Sequence, residues 1–374
     1  KRLDAAYTIF YMGVNVGSFA APLICGFLGD TGNPQDFKWG FLASGIMTLF
    51  TVVLFETQKN KYLFSPSGEP IGIVPDARRE KKEDKAEHIS HPKMDKRTKV
   101  RNIIIITALT VALIAFFSYA FSDDWISVGI FTACIVFPVL ILLDGSLTKV
   151  ERSRIFVIYI VAFFVIFFWA AYEQAGASLT LFASEQTDRS IFGWEMPASW
   201  FQSFNPLFVV ILAYIMPGIW GFLNKRNMEP ASPTKQAIGL LLLSLGYLFI
   251  CFGVKDAIPG VKVSMIWLTG LYFIHTMGEI ALSPIGLSMV NKLSPLRFAS
   301  LMMGIWYLST ATANKFAGML SGLYPEDGKV KSILGYQIAT MYDFFMLFVI
   351  MSGVASLILF LLSKKLQKMM HGVE

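Results

Sequence analysis

Charge is what this sequence has least of. Asp, Glu, Lys and Arg make up 16% of its 374 residues, where a soluble chain of this size carries about 25%. Two soluble domains would suit the length, but the 55% of residues that are apolar come in long unbroken runs. Cysteine is scarce too. Cys25, Cys134 and Cys251 lie far apart, each inside an apolar run. That excludes a disulfide-stapled secreted domain and leaves three small buried hydrophobes. Ser/His/Asp constellations, an HExxH zinc pattern and a phosphate-binding loop are all missing from the sequence, so neither catalysis nor a metal site is indicated.

What the composition describes is an all-α polytopic membrane protein. A membrane-crossing helix needs about 20 mainly apolar residues. Ten segments qualify, at roughly 5–29, 39–56, 103–121, 126–143, 155–183, 201–223, 237–254, 264–291, 298–323 and 341–362. Pro22, Pro138, Pro206, Pro217 and Pro284 fall inside them, as a helical bundle tolerates. Twenty-five of the 32 Lys and Arg residues sit in alternate connections and six in the opposite ones, with Lys315 inside a span. By the positive-inside rule both ends of this chain are expected in the cytoplasm. The net charge of +6 is thus a topology signal, and no nucleic-acid partner is expected.

The polar stretch 57–102 holds Ser65-Pro66-Ser67-Gly68 and then a mixed charge run, Arg78 to Lys85. It reads as a solvated cytoplasmic linker. The two spans after it are joined only by Ser122–Trp125 and contain no charge. They read as a lipid-facing helical hairpin over 103–148.

Charged side chains at membrane depth cost ~2.5–3.5 kcal/mol each on insertion scales and are functional candidates by default. Glu173 follows a long apolar run, with Trp169 four residues before it on one helix face. Either function or a packing hydrogen bond accounts for it. His275, Glu279 and Ser283 form an i, i+4, i+8 stripe. A carboxyl group there can take a proton on one side and release it on the other. His275 alone reads as a hydrogen-bonded interior residue, and without a third ligand the His-x3-Glu spacing is not a zinc site. Lys315 closes an unusually polar stretch with Trp306, Ser309, Thr310, Thr312 and Asn314. It either snorkels or pairs with an acid. Tyr7, Tyr11 and Asn15 make a further stripe that either packs or lines a cavity, and Gly13 and Gly17 permit a close helix contact. Asn205 precedes Pro206 at a kink. Sparse carboxylates, amides and tryptophans on several helices fit a proton-linked secondary transporter of a polar substrate better than an enzyme or a channel.

At these residues the sequence resembles the proton-dependent oligopeptide transporter (POT/PTR) family of the major facilitator superfamily. Phe10-Tyr11-Met12-Gly13-Val14-Asn15-Val16-Gly17-Ser18-Phe19, with Ala21-Pro22-Leu23, resembles the family's fifth helix. Phe168-Trp169 with Glu173-Gln174-Ala175-Gly176 and Ser178-Leu179-Thr180-Leu181-Phe182 resembles the seventh. Phe201 to Phe208 resembles the start of the eighth, Gly278 to Ser288 the tenth, and Trp306-Tyr307-Leu308-Ser309 the eleventh.

The resemblance implies the major facilitator fold, with ten of fourteen expected helices present. Residues 1–56 would be the last two helices of the first bundle and 57–102 the charged linker. Residues 103–148 would be the inserted hairpin, and 149–374 a complete six-helix second bundle. It also implies symport of di- and tripeptides with protons by alternating access, in the inner (cytoplasmic) membrane of a bacterium, as a monomer without cofactor. Glu173 and Glu279 would be the proton-coupling carboxylates, with Glu279 near the peptide amine. Asn15, Asn205, Trp169, Trp306, Ser283 and Thr310 would contact substrate, and Tyr11, His275 and Lys315 would support them. A zwitterionic peptide needs a cation for its carboxylate. The family's Glu-x-x-Glu-Arg-Phe motif and a lysine on its fourth helix would supply it, but the first four helices are not in this chain. The chain alone is therefore expected not to transport. The alternatives are a same-fold carrier of an amino-acid conjugate or nitrate, and a non-transporting scaffold or sensor.

Overall fold

The computed structural model describes residues 2–64, 95–121, 124–255, 261–325 and 329–373, with the side chains of residues 2–12, Tyr214, Pro217 and Leu296 outside that set. Eleven α-helices form among these residues. They are α1 (Arg2–Gly29), α2 (Phe37–Tyr62), α3 (Lys96–Phe121), α4 (Trp125–Leu142), α5 (Lys149–Tyr172) and α6 (Ser178–Glu185). After them come α7 (Phe204–Lys225), α8 (Ser232–Val254), α9 (Met265–Leu293), α10 (Ala299–Ser321) and α11 (Met341–Met369). A 3-10 turn over Glu173–Gly176 joins α5 to α6, so the eleven helices make ten segments at the ten expected places.

Eight of these segments are long and apolar enough to cross a membrane. The other two are α1, apolar over Gly13–Gly29, and α10, whose hydroxyls, Asn314 and Lys315 dilute its apolar surface. Both ends of the stretch 57–102 are helical, because α2 runs on to Tyr62 and α3 starts at Lys96. Its middle, 65–94, lies outside the described residues.

The core sits among α5, α8, α9, α10 and α11, where Phe168, Tyr247, Phe344, Phe345 and Phe348 are fully buried. Helix α8 is its centre, packed on both α9 and α11. Gly239, Gly246 and Gly253 recur every seven residues along it. At Gly239 the backbones of α8 and α9 meet: a Cβ there would lie 2.9 Å from the Gly278 carbonyl oxygen.

The connections opposite the basic ones are not plain loops. Thr187–Asp188 (β1) pairs in parallel with Val263–Ser264 (β4), Ser190–Ile191 (β2) pairs with Trp194–Glu195 (β3), and Lys331–Ile333 (β5) with Tyr336–Ile338 (β6). Gly193 and Gly335 take positive φ in the two hairpin turns, which tight hairpins require. At this face α1 meets the start of α7. The Ser199 amide donates to Asp30 Oδ2 at 3.1 Å and the Ser203 hydroxyl to the Phe19 carbonyl at 2.9 Å.

The hairpin closes on itself through rings. Phe121 stacks on Phe131 at 5.0 Å and on Phe117 at 5.6 Å. It docks on α10 at one end and on the 3-10 turn before α10, Leu296–Phe298, at the other. Asp124, which caps α4 by accepting from the Ser127 amide, is paired with Lys315 at 2.5 Å. At the basic end Arg297 donates to Ser146 Oγ at 2.9 Å and to its carbonyl at 3.1 Å. Lys315 thus pairs rather than snorkels. The hydrogen bond from Lys315, then those from Ser127, hold the Asp124 carboxyl at about 2, below its usual 3.8. A depressed carboxyl pKa adds stability above the unfolded value and loses it as pH falls towards the folded one. The contact is therefore expected to be complete above about pH 4 and lost towards pH 2.

Lys315→Glu should undock this end of the hairpin, and Lys315→Glu with Asp124→Lys should restore it. Cys134 of α4 contacts Thr312 of α10, so oxidative cross-linking of Cys134 to a Thr312→Cys variant reads the docking. Equal cross-linking in Lys315→Glu and wild type would remove the pair's role.

Candidate functional site

The polar residues of helix α9 meet several neighbours. His275 faces α8: its Nε2 lies 3.2 Å from the Leu243 carbonyl and its ring 4.7 Å from that of Tyr247. Thr276 and Glu279, three residues apart and so on one face, turn towards α5 and α7. Glu279 Oε2 accepts a hydrogen bond from the Tyr172 hydroxyl at 2.5 Å and another from Asn205 Nδ2 at 2.8 Å. Asn205 Nδ2 also reaches Thr276 Oγ1 at 3.1 Å and the Tyr172 phenol oxygen. An amide has two N–H donors, so these three acceptors compete for it. The Thr276 hydroxyl is committed to the Tyr272 carbonyl at 2.7 Å.

Each member is placed by ordinary packing. Tyr172 ends α5, its ring stacked on Phe168 at 5.5 Å and edge-on to Trp169 at 5.3 Å. Asn205 lies in the first turn of α7. Glu173 comes directly after Tyr172, at the end of α5, where its amide still donates to the Trp169 carbonyl one turn back, and it opens the 3-10 turn. The buried Gln174 holds the turn, donating to the Ala170 and Ala317 carbonyls at 3.1 and 3.0 Å and accepting from Ser178 at 2.6 Å. Glu173 itself is partly buried, within electrostatic reach of Glu279, and has no hydrogen-bond or ion-pair partner among the described residues.

The structure thus gathers Glu173, Glu279, Asn205 and Trp169. Trp306 is buried against α9: a Cβ on Gly286 would lie 2.4 Å from its ring. Thr310 lies one turn further along α10, and Ser283 Oγ is buried without a hydrogen-bond partner among the described residues. Asn15 is buried on α1, while the side chain of Tyr11 is outside the described residues. His275 lies against α8 at Leu243 and Tyr247 and its ring also stands 6.2 Å from that of Tyr172, while Lys315 pairs with Asp124 of the hairpin. Two members of the network, Tyr172 and Thr276, escape sequence reasoning. Their only signals are adjacency to Glu173 and the i, i+3 spacing to Glu279.

The all-α polytopic membrane fold thus holds a carboxylate network shared among three helices. The POT family model (PTR2) matches residues 1–334, and the chain belongs to that family. It is 30% identical over 331 residues to the peptide transporter YePEPT of Yersinia enterocolitica, covering 86% of this chain and 61% of that protein. It is 28% identical over 391 residues to a di-/tripeptide transporter of Lactococcus lactis subsp. cremoris, covering 100% of this chain and 71% of that one. A crystal structure of a mutant peptide transporter POT in complex with alafosfalin superposes with a TM-score of 0.74 at 28% identity, covering 100% of this chain and 69% of that chain. This chain thus spans less than two thirds of the length of the first of these relatives.

Proposed function

We propose that the protein is a proton-coupled symporter of di- and tripeptides working by alternating access. The observation that carries this reading is the contrast between its two carboxyl groups. Glu279 is hydrogen-bonded by Tyr172 and Asn205, whereas neighbouring Glu173 has no hydrogen-bond or ion-pair partner among the described residues. One carboxylate is shaped to meet a cation, and the other is free to change protonation state. In this reading Glu173 is the proton-coupling group and Glu279 meets the peptide amine. Asn15, Asn205, Ser283 and Thr310 bond the peptide, and Trp169 and Trp306 bound its side-chain space. No cofactor takes part.

The same reading sets residues 1–56 in a first bundle and 57–102 in the cytoplasmic linker. It makes 103–148 a peripheral hairpin and 149–374 a six-helix second bundle. The basic connections face the cytoplasm across a bacterial inner membrane, with the protein monomeric. The contacts of α1 with Ser199 and Ser203 support a state closed at the outer face.

The test is uptake by the full-length protein in proteoliposomes with an inward proton gradient. Labelled dipeptide should accumulate, and unlabelled di- and tripeptides should compete. Competition by nitrate or an amino-acid conjugate but not by dipeptides would replace the substrate. Uptake indifferent to the gradient would remove the coupling.

A further inference from the structure

The Glu279 carboxylate is loaded on one side only. Its Oε2 takes both the Tyr172 hydroxyl and the Asn205 amide, and its Oε1 takes no hydrogen bond among the described residues. Of the two donors, Tyr172 is the better fixed. Its hydroxyl carries a single proton, and its ring is held by Phe168, Trp169 and, at 6.2 Å, His275. The Asn205 amide is shared among three acceptors. Losing the Tyr172 hydroxyl would leave Glu279 held only by the Asn205 amide, which also serves Thr276.

We infer that Tyr172 is a positioning residue. It fixes Glu279 with Oε2 bound to the protein and Oε1 presented to the ammonium group of the substrate, and so sets the preference for ligands with a free amine. The inference rests on the peptide reading above. Tyr172 touches neither the amine nor the peptide chain in this scheme and acts through the carboxylate. A hydrogen bond to a charged group contributes about 1.5–3 kcal/mol, so misorientation of Glu279 should read as roughly a tenfold or greater loss of affinity.

The experiment compares Tyr172→Phe with wild type in the full-length protein. Phe keeps the ring and its stacking and removes only the hydroxyl. Two probes are used: alanyl-alanine and its des-amino analogue, propionyl-alanine. For alanyl-alanine, KM should rise about tenfold or more while kcat changes less. For propionyl-alanine, which has no ammonium group, affinity should be the same in both proteins. In a Glu279→Gln background, Tyr172→Phe should cost nothing further for alanyl-alanine.

Equal losses for the two probes, or a full Tyr172→Phe effect persisting in the Glu279→Gln background, would overturn the inference and leave the peptide reading standing. A wild-type protein that carries no dipeptide would overturn both. Because Tyr172→Phe also removes a buried hydroxyl, its melting temperature in detergent is measured beside wild type. A selective loss for alanyl-alanine at unchanged melting temperature supports positioning, and a loss for both probes that follows the melting temperature is structural and overturns it.

Discussion

Glu173→Gln is expected to abolish uphill accumulation of dipeptides by the full-length protein while leaving counterflow exchange intact. Gln is isosteric with Glu, and Glu173 has no hydrogen-bond partner among the described residues to lose. The change therefore removes ionisation and little else. A charge costing ~2.5–3.5 kcal/mol at membrane depth shifts a two-state equilibrium by about two orders of magnitude. That is enough to make one orientation of a carrier accessible only to the protonated form. Without the titrating group, exchange can run but the proton gradient has no purchase on it. Glu279→Gln should differ, since the amide oxygen still accepts from Tyr172 and Asn205. Its main effect should be weaker binding of amine-bearing substrate. Uphill and exchange transport measured side by side in proteoliposomes separate the two. Undiminished accumulation in Glu173→Gln would place the coupling elsewhere.

The second large effect is on folding. Gly278→Ala places a methyl group 2.8 Å from the Gly239 carbonyl oxygen, where α9 crosses α8. The obstacle is backbone, so no rotamer change relieves it. The helices must separate at the centre of the core, and the expected cost reaches or exceeds the ~3 kcal/mol upper end of ordinary overpacking. Membrane helices rely on such close approaches, because lipid offers no hydrophobic drive for them to associate. Gly304→Ala on α10 is the control: its Cβ would meet nothing within 4 Å, and Ala is the better helix former. Fluorescence-detected size exclusion of the full-length protein should show a sharp fall in the monodisperse peak for Gly278→Ala and none for Gly304→Ala. Equal yields would mean the α8–α9 contact gives way more easily than its geometry implies.

Much of the fold is legible because a bilayer imposes one simple demand, about 20 apolar residues per crossing. Helices form at all ten expected places, although the hydroxyls of α10 and the 3-10 turn after Tyr172 blur two of them. The short strands escape sequence reading because β1 and β4 are two residues each and come from different connections. In the site, Glu173 and Glu279 stand out as charges in apolar surroundings, and Asn205 as an amide beside Pro206. Tyr172 and Thr276 do not stand out at all, since either residue is commonplace in a membrane helix. Lys315 is visible as a charge, but its partner is not, because Asp124 is nearly two hundred residues away in the short turn between two other helices.

The sequence by itself determined the class of protein: hydropathy set the crossings, and the family motifs set its kinship. It also determined which few side chains are too costly to be incidental, since that cost depends on the group and its depth alone. Only the tertiary structure decided how those side chains divide. The neighbouring helices put the Leu243 carbonyl beside His275 and Tyr172 and Asn205 beside Glu279, and hairpin docking gave Lys315 to Asp124. The physical reason is that a hydrogen bond or ion pair needs partners within about 3 Å. In a bundle those partners come from other helices, whose crossings are fixed by the packing of glycines and aromatic rings along their whole length.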